Sequence, residues 1–404
     1  MDITSKQLKI SSKILNIGVK MLYRELGNTK EKVSILGFGA MRLPTINNQA
    51  DKIDKEEASA MLEYGIDNGI NIIDTAYSYH TLDFDYAGES EPFIGEFLST
   101  GLREKVLMST KLPSWIVEKK GDMEKFLNQQ LERLQTDSID IYLLHSLKSD
   151  YWENLTNLDV FEFMDTVLGD GKVKHIGFSF HDELDLFLEI LDSYDWEVVL
   201  TQMNYLDEGY QSGINGIEYL SSINMGNMIM EPLRGGRLVE NIPPEVQSLW
   251  DTSPTKRSPL QWAFQYLWDM EGISTVFSGM SSLEQVKENI AIAEEGYPNT
   301  LTQEEKNLIK DVARVYREKK DIDCTECNYC MPCPQKVAIP TCFKEYNIAK
   351  MLDNPEASSM QYFCLLDEEN YASSCTECGN CVPMCPQMIN IPEELKKVKN
   401  IFGR

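Results

Sequence analysis

Eight of the chain's ten cysteines fall in two short runs near the C-terminus. The first is Cys324, Cys327, Cys330 and Cys333, followed by Pro334; the second is Cys375, Cys378, Cys381 and Cys385, followed by Pro386. Three thiolates at every third position, then a fourth capped by proline, suit a cubane 4Fe–4S cluster, whose corners need ligands from several directions. A loop with two-residue gaps wraps three of them around one face, and the fourth comes from elsewhere. Two runs therefore predict two 4Fe–4S clusters that exchange their fourth ligands. Cys324, Cys327, Cys330 and Cys385 are expected to hold one, and Cys375, Cys378, Cys381 and Cys333 the other. The second run has three residues before its last cysteine and the first only two, so Cys333 is expected to present its thiolate differently.

Zinc prefers ligands in separated pairs, which two uninterrupted four-cysteine runs do not supply. Disulfides fit less well. The N-terminus is polar, without the apolar core of a secretory leader, so a cytoplasmic location with reduced thiols is expected. Cys342 and Cys364 stand outside both runs and read as packing residues.

A second set of reactive residues lies earlier in the chain, at the ends of short apolar runs: Asp74, Lys111, His145, Ser179, Gln202, Glu231 and Ser278. The elements that carry them alternate. Strands are predicted at 33–36, 71–74, 105–110, 139–144, 174–178, 198–202, 228–231 and 274–277. Amphipathic helices are predicted between and after them at 56–68, 92–98, 123–134, 159–168, 182–191, 214–223, 259–270 and 283–293. Eight βα units closing on themselves make an α/β fold of the (β/α)8 TIM-barrel type, whose sites assemble at the C-terminal rim of the strands. An open Rossmann sheet loses because no G-x-G-x-x-G follows the first strand.

The chain of 404 residues has room for one large domain and a small one, with 42% hydrophobic residues for a core. A net charge of −26 argues against nucleic acid, and no apolar run is long enough for a membrane span. Residues 302–320 read as a charged helix opened by a capping box of Thr302 with Glu305. We therefore divide the chain into an unassigned extension at 1–20, the barrel at 21–301, a linker helix at 302–320 and a cluster domain at 321–404.

Several segments resemble the aldo-keto reductases. They are Leu36-Gly-Phe-Gly-Ala-Met-Arg-Leu-Pro44, Ile73-Asp-Thr-Ala-Tyr-Ser-Tyr79, Thr110-Lys111, Tyr142-Leu-Leu-His145, Pro232-Leu233 and Glu288-Asn289. With the cysteine runs attached, the chain resembles the branch of that family that carries a ferredoxin-type tail, known from anaerobic bacteria and archaea. The resemblance implies a catalytic tetrad in which Tyr79 gives a proton to the carbonyl oxygen and Lys111 lowers its pKa. Asp74 would hold Lys111 and His145 would direct the carbonyl; Tyr77 is a neighbouring decoy. It also implies an extended nicotinamide dinucleotide, NADP(H) or NAD(H), across the barrel mouth. Ser179 and Gln202 would hold the carboxamide, and Leu233 and Gly235 a pyrophosphate strap. Gly279, Ser281, Gln285, Glu288 and Asn289 would hold the phosphate and adenine, where the N-terminus of helix 283–293 suits an anion.

There are departures from the pattern. Phe180 replaces the usual asparagine after the serine, and Met230 lies where an aromatic ring would stack on nicotinamide. No basic pair marks a 2′-phosphate pocket, and Arg234 or Arg237 are the cations expected to compensate. A flavin mononucleotide is the alternative occupant, since clusters move single electrons and nicotinamide moves hydride. The loop 80–88, acidic through Asp83 and Asp85, is expected to overhang the site.

The reading that follows is an oxidoreductase interconverting a small-molecule carbonyl and alcohol, wired through its clusters to an electron carrier such as ferredoxin or flavodoxin. A flavin-linked electron-transfer enzyme, clusters acting only as a fold staple, and a non-catalytic nicotinamide sensor are the alternatives.

Overall fold

An antiparallel hairpin, β1 (Tyr23–Glu25) and β2 (Lys32–Ser34), leads into eight parallel strands. These are β3 (Leu36–Gly39), β4 (Ile72–Asp74), β5 (Leu107–Leu112), β6 (Ile139–Leu147), β7 (Val173–Phe180), β8 (Val198–Gln202), β9 (Gly226–Met230) and β10 (Thr275–Ser278). They pair in sequence and β10 closes on β3, so the sheet is a complete barrel. The computed structural model describes residues 21–403 apart from Thr325, and the 1–20 extension lies outside them.

Two packed layers follow from the strand pattern. Inside the barrel, Ile72, Ile141, Leu143, Val198, Leu200, Met228 and Phe277 form one cluster, joined at the bottom by Leu26 and Val33 of the hairpin. Outside, strand and helix side chains form a larger core that includes Phe38, Tyr142, Phe178, Trp262 and Trp268. Arg24 of β1 ties the hairpin down by donating to the carbonyls of Met270 and Ile273, both at 2.8 Å, just past the helix Pro259–Trp268. A cation beside a helix C-terminus is favoured by the helix dipole.

The hairpin accounts for one difference from the sequence reading. The apolar run 33–36 is two strands meeting at a corner, where the Ser34 amide donates to the Asn71 side chain at 2.7 Å and its hydroxyl to Leu36 O at 2.7 Å. Two helices, Ser149–Asn157 and Pro244–Trp250, were not anticipated. The helix Gln303–Glu318 begins at the expected capping box, with Glu305 N donating to Thr302 Oγ1 at 3.2 Å. Its Ile309, Val312 and Tyr316 belong to the barrel's outer core, so it is packed along its length onto the barrel.

Beyond it the chain is built from two similar halves. Each carries a Cys-Thr-Glu-Cys start and a Cys-Pro-Gln stretch that runs into an Ile-Pro helix start, giving the helices Ile339–Met351 and Ile391–Phe402. In each, the amide two residues on donates to the first thiol, Glu326 N to Cys324 Sγ and Glu377 N to Cys375 Sγ, both at 3.4 Å. These helices and Pro355–Leu365 enclose a separate core around Phe343, Tyr346, Tyr362, Leu395 and Phe402. Ile348 and Leu352 reach instead into the barrel's core. Lys344 lies 4.3 Å over the Tyr210 ring and hydrogen-bonds its hydroxyl, and Arg237 donates to Ala357 O at 2.7 Å. Among the described residues, no helix is long and apolar enough to cross a membrane.

Candidate active site

The strand register aligns the polar strand ends. Asp74 pairs with Ser109 across β4 and β5, Lys111 pairs with Leu143 across β5 and β6, and His145 lies two residues beyond Leu143. Because side chains alternate along a strand, Asp74, Ser109, Lys111 and His145 share the inner face of the rim. Lys111 Nζ donates to Asp74 Oδ2 at 2.6 Å, to Thr75 O at 2.7 Å and to the Tyr79 hydroxyl at 3.1 Å. Ser109 Oγ donates to the other oxygen of Asp74 at 2.9 Å. The Tyr79 ring meets His145 edge-on, with centroids 6.1 Å apart. The four residues named from the sequence thus form one contiguous group. Tyr77 turns away, its ring edge-on to Phe126 at 5.3 Å.

Tyr79 is held by the loop after it. Gly88 N donates to Tyr77 O at 2.8 Å and Ser90 N to Tyr79 O at 3.2 Å, folding 80–89 back under the tyrosine. A Cβ on Gly88 would lie 2.0 Å from Tyr79 O, so only glycine allows that return. Glu91, fully buried, anchors the loop to the barrel by accepting from Thr110 Oγ1 at 2.7 Å, Gln130 Nε2 at 2.6 Å and Arg133 Nε at 2.9 Å. The tip carries Leu82 and Tyr86 with most of their surface in solvent and Phe84 half-buried.

The electrostatics sort the roles. Burial opposes the charge on Lys111, but Asp74 and Tyr79 outweigh it and hold the ammonium above its ordinary value. Burial pushes the Asp74 carboxyl up against the pull of Lys111 and Ser109. The sequence led us to expect Lys111 to lower the Tyr79 pKa. Lys111 does pull it down, yet burial is the larger effect and Asp74 adds to it, so the phenol is raised overall. His145 is driven well below its usual value by burial, then by Lys111 and His181, and is neutral near pH 7. Its Nδ1 has no partner among the described residues, and neither has Nε1 of Trp115, whose ring lies 5.2 Å from it. The site therefore holds a protonated phenol beside a buried ammonium, with a neutral imidazole edge-on to the phenol ring. The packing of Trp115 on His145 was missed because an isolated tryptophan in a Pro-Ser-Trp loop carries no sequence signal for it.

A groove of about 410 Å3 opens beside the tetrad, lined by Asp74 and Tyr79 at one end. It brings together Leu233, Gly235, Gly279, Ser281, Gln285, Glu288 and Asn289, seven of the residues singled out for a nucleotide. Ser179 and Gln202 do not line it. Ser179 Oγ accepts the Ser146 amide at 2.7 Å, where the β6–β7 register shifts, and Gln202 Nε2 donates to Asp207 at 2.8 Å. Phe180 is fully buried against Phe187, with centroids 5.0 Å apart, and faces the outer core. Arg234 forks onto Asp207 at 3.0 and 3.1 Å, and Arg237 is spent on Ala357. Arg42, for which the sequence suggested no role, points into the groove.

In the second half of the chain, Cys324, Cys327, Cys330 and Cys385 line a small cavity with Ile339, Pro340 and Phe343. Cys381 is within electrostatic reach of Cys375, Cys378 and Cys333, and Cys330 is within reach of Cys381 as well as its own run. Both groupings cross between the runs. Among the described residues no three thiols or carboxylates converge closely enough for a single metal ion. Thiols spaced around a cavity suit a cluster larger than one ion. Cys342 is buried, 3.6 Å from the Tyr362 hydroxyl and Asn370 O, and Cys364 is exposed.

Comparison with known proteins agrees with both halves. Residues 35–314 match the aldo/keto reductase family. The chain belongs to the aldo/keto reductase family. Residues 323–391 match a 4Fe-4S dicluster domain, so this family member is an oxidoreductase with an iron–sulfur module. L-galactose dehydrogenase of Arabidopsis thaliana is 28% identical over 308 residues, covering 68% of this chain and 89% of the plant protein. Protein tas of Escherichia coli is 26% identical, covering 54% and 72%. A holo-form aldo-keto reductase of Bacillus halodurans superposes with a TM-score of 0.59 at 26% identity, covering 72% of this chain and 96% of that one.

Proposed function

We propose that the barrel interconverts a carbonyl and an alcohol with a nicotinamide dinucleotide, and that the tail links this chemistry to a one-electron carrier. The observation that carries the reading is the single Lys111 ammonium touching both Asp74 and the Tyr79 hydroxyl, with the His145 ring edge-on to Tyr79. In reduction, the carbonyl oxygen would lie within reach of Tyr79 and His145. His145, neutral, donates a hydrogen bond and orients the oxygen. Tyr79 gives its proton as negative charge builds there, and Lys111 stabilises the phenolate left behind. Asp74 keeps Lys111 charged. The dinucleotide, when bound, supplies hydride to the carbon, so two electrons and one proton arrive there while the second proton comes from Tyr79. Oxidation runs the same groups in reverse.

The four thiols around the cavity, and the second set crossing between runs, are suited to two 4Fe–4S clusters, whose chemistry is the transfer of single electrons. A specific observation keeps the staple reading in play: six of the eight run cysteines pack against the tail's own hydrophobic core.

Two measurements test these readings. Tyr79→Phe removes only the transferable proton, and carbonyl-dependent NAD(P)H oxidation should fall by at least about 100-fold; turnover equal to wild type removes the tetrad from the account. Anaerobic titration with NADPH and then NADH, followed at the broad cluster absorbance near ~400 nm, tests the link. Bleaching by either nucleotide supports it. Clusters reduced by dithionite but by neither nucleotide favour the staple.

A further inference from the structure

We propose that the cluster tail holds one wall of the nucleotide groove in place through Arg237, so that groove occupancy and tail packing are coupled. The ligand named here rests on the nucleotide-binding reading above. The wall is the loop 231–243, between β9 and the helix Pro244–Trp250. Its Leu233, Gly235, Gly236, Val239 and Glu240 line the groove. Glu231 (φ +54°) and Arg234 (φ +48°) are left-handed without being glycine, and Gly235 and Gly236 follow at +67° and +91°. A backbone that side chains disfavour persists only where the surroundings impose it.

Three constraints come from the barrel. Arg234 forks onto the buried Asp207, and Asn204 Nδ2 donates to Glu231 O at 3.1 Å. Leu238 is fully buried in the barrel's outer core. Between these anchors lie two glycines, the residues least able to hold a backbone shape, and Arg237. Arg237 does not line the groove; it donates to Ala357 O at 2.7 Å, in the first turn of the tail helix Pro355–Leu365. The helix Ile339–Met351 answers it with charge. Its Glu345 is 2% exposed, is the foremost charge acting on Arg237, and keeps Oε2 without a hydrogen-bond partner. Lys344, Arg237 and Arg234 are the cations that offset the burial of that carboxylate, so removing one of them is costly. The tail is itself seated on the barrel by Ile348 and Leu352 in the barrel's core and by Lys344 on Tyr210. Arg237 therefore bridges a seated tail and the span of the loop that the barrel leaves untied.

The test compares wild type, Arg237→Ala and Arg237→Lys as the cluster-loaded full chain, by hydrogen exchange and by anaerobic calorimetric titration. Without ligand, Arg237→Ala should lose protection at the amides of Gly236, Leu238 and Glu240, which bond within the loop. NADPH, NADH and ADP-ribose should each bind it about 10-fold more weakly, and lysine should restore part of the loss. Coupling is reciprocal. ADP-ribose added to wild type should therefore raise protection along 357–365, and the response should vanish in Arg237→Ala. Unchanged cluster absorbance shows that the variant tail is intact; should Arg237→Ala lose its clusters, the wild-type response at 357–365 decides. Unchanged loop exchange or equal affinity in Arg237→Ala overturns the proposal. So does a loss confined to NADPH, which would make Arg237 a 2′-phosphate reader, or a tail helix indifferent to ADP-ribose in wild type. If wild type binds none of the three, the nicotinamide reading fails separately. Loop exchange in Arg237→Ala then judges the tie alone: lost protection upholds it, and unchanged protection ends it.

Discussion

Lys111 is 1% exposed, yet its ammonium meets a carboxylate, a carbonyl and a phenol within 3.1 Å. A buried charge survives only when its protons are so satisfied, and here the satisfaction is what aims it at Tyr79. The consequence is visible in pH. Burial raises the Tyr79 phenol beyond what Lys111 takes back, so the hydroxyl stays protonated through neutrality, and His145 stays neutral because its pKa lies well below the usual value. Carbonyl reduction needs the phenol, so its kcat/KM should be flat from about pH 6 to the ordinary tyrosine value of about 10 and fall only above it, as the phenol ionises. Alcohol oxidation needs the phenolate and should climb over that range. A limb near pH 6.5 that disappears in His145→Gln would show that His145 titrates normally and defeat this assignment. The ring of Asp, Lys and His at strand ends was legible in the sequence pattern, the resemblance to aldo-keto reductases added Tyr79, and the structure brings the four side by side. Ser179 and Gln202 sit at strand ends too, but the Ser146 amide and Asp207 claim them. Spacing cannot reveal such local partners, nor show that Arg42, inside a run of small and apolar residues, points into the groove.

At the scale of elements, the barrel strands fell close to their expected positions because apolar runs bounded by turn residues are a strong signal. The corner at Ser34 was invisible, since one apolar run feeds both the hairpin and β3. The loop 80–88 was expected to overhang the site, and its fold explains how it serves Tyr79: Gly88 passes beneath the tyrosine carbonyl while Glu91, beyond the loop, pins its far end to Thr110, Gln130 and Arg133. Gly88→Ala places a methyl 2.0 Å from Tyr79 O and 2.6 Å from its carbonyl carbon, backbone atoms that cannot swing aside. The loop must shift, and with it the hydroxyl. A displacement of order 1 Å at a reacting group costs about 100-fold, so kcat should drop by that order while cluster absorbance and far-UV circular dichroism stay unchanged. Turnover within a factor of two of wild type would mean that the loop accommodates the methyl without moving Tyr79.

For the whole molecule, the tail's halves repeat a thiol-rich loop and a helix, and each set of thiols borrows one member from the other half. On the proposed two-cluster reading, neither cluster site is complete without both runs. That exchange also distinguishes this arrangement from one in which each run keeps its own four thiols, because paired substitutions count differently. Cys324→Ser with Cys385→Ser strikes one crossed site, so about half the iron and sulfide should remain, whereas two run-wise sites would both be lost. Cys324→Ser with Cys333→Ser inverts the expectation: both crossed sites are damaged, while a run-wise arrangement would keep one. Cys364→Ser, exposed and outside both sets, should change neither count. Iron and acid-labile sulfide per chain, measured on anaerobically purified protein, decide between the two. Because Lys344 and Arg237 join the tail to loops at the barrel rim, the crossed arrangement carries a further consequence. Damage to either run should loosen the tail as a whole, so the tail contacts at Tyr210 and Ala357 should lose hydrogen-exchange protection in both double variants and not in Cys364→Ser.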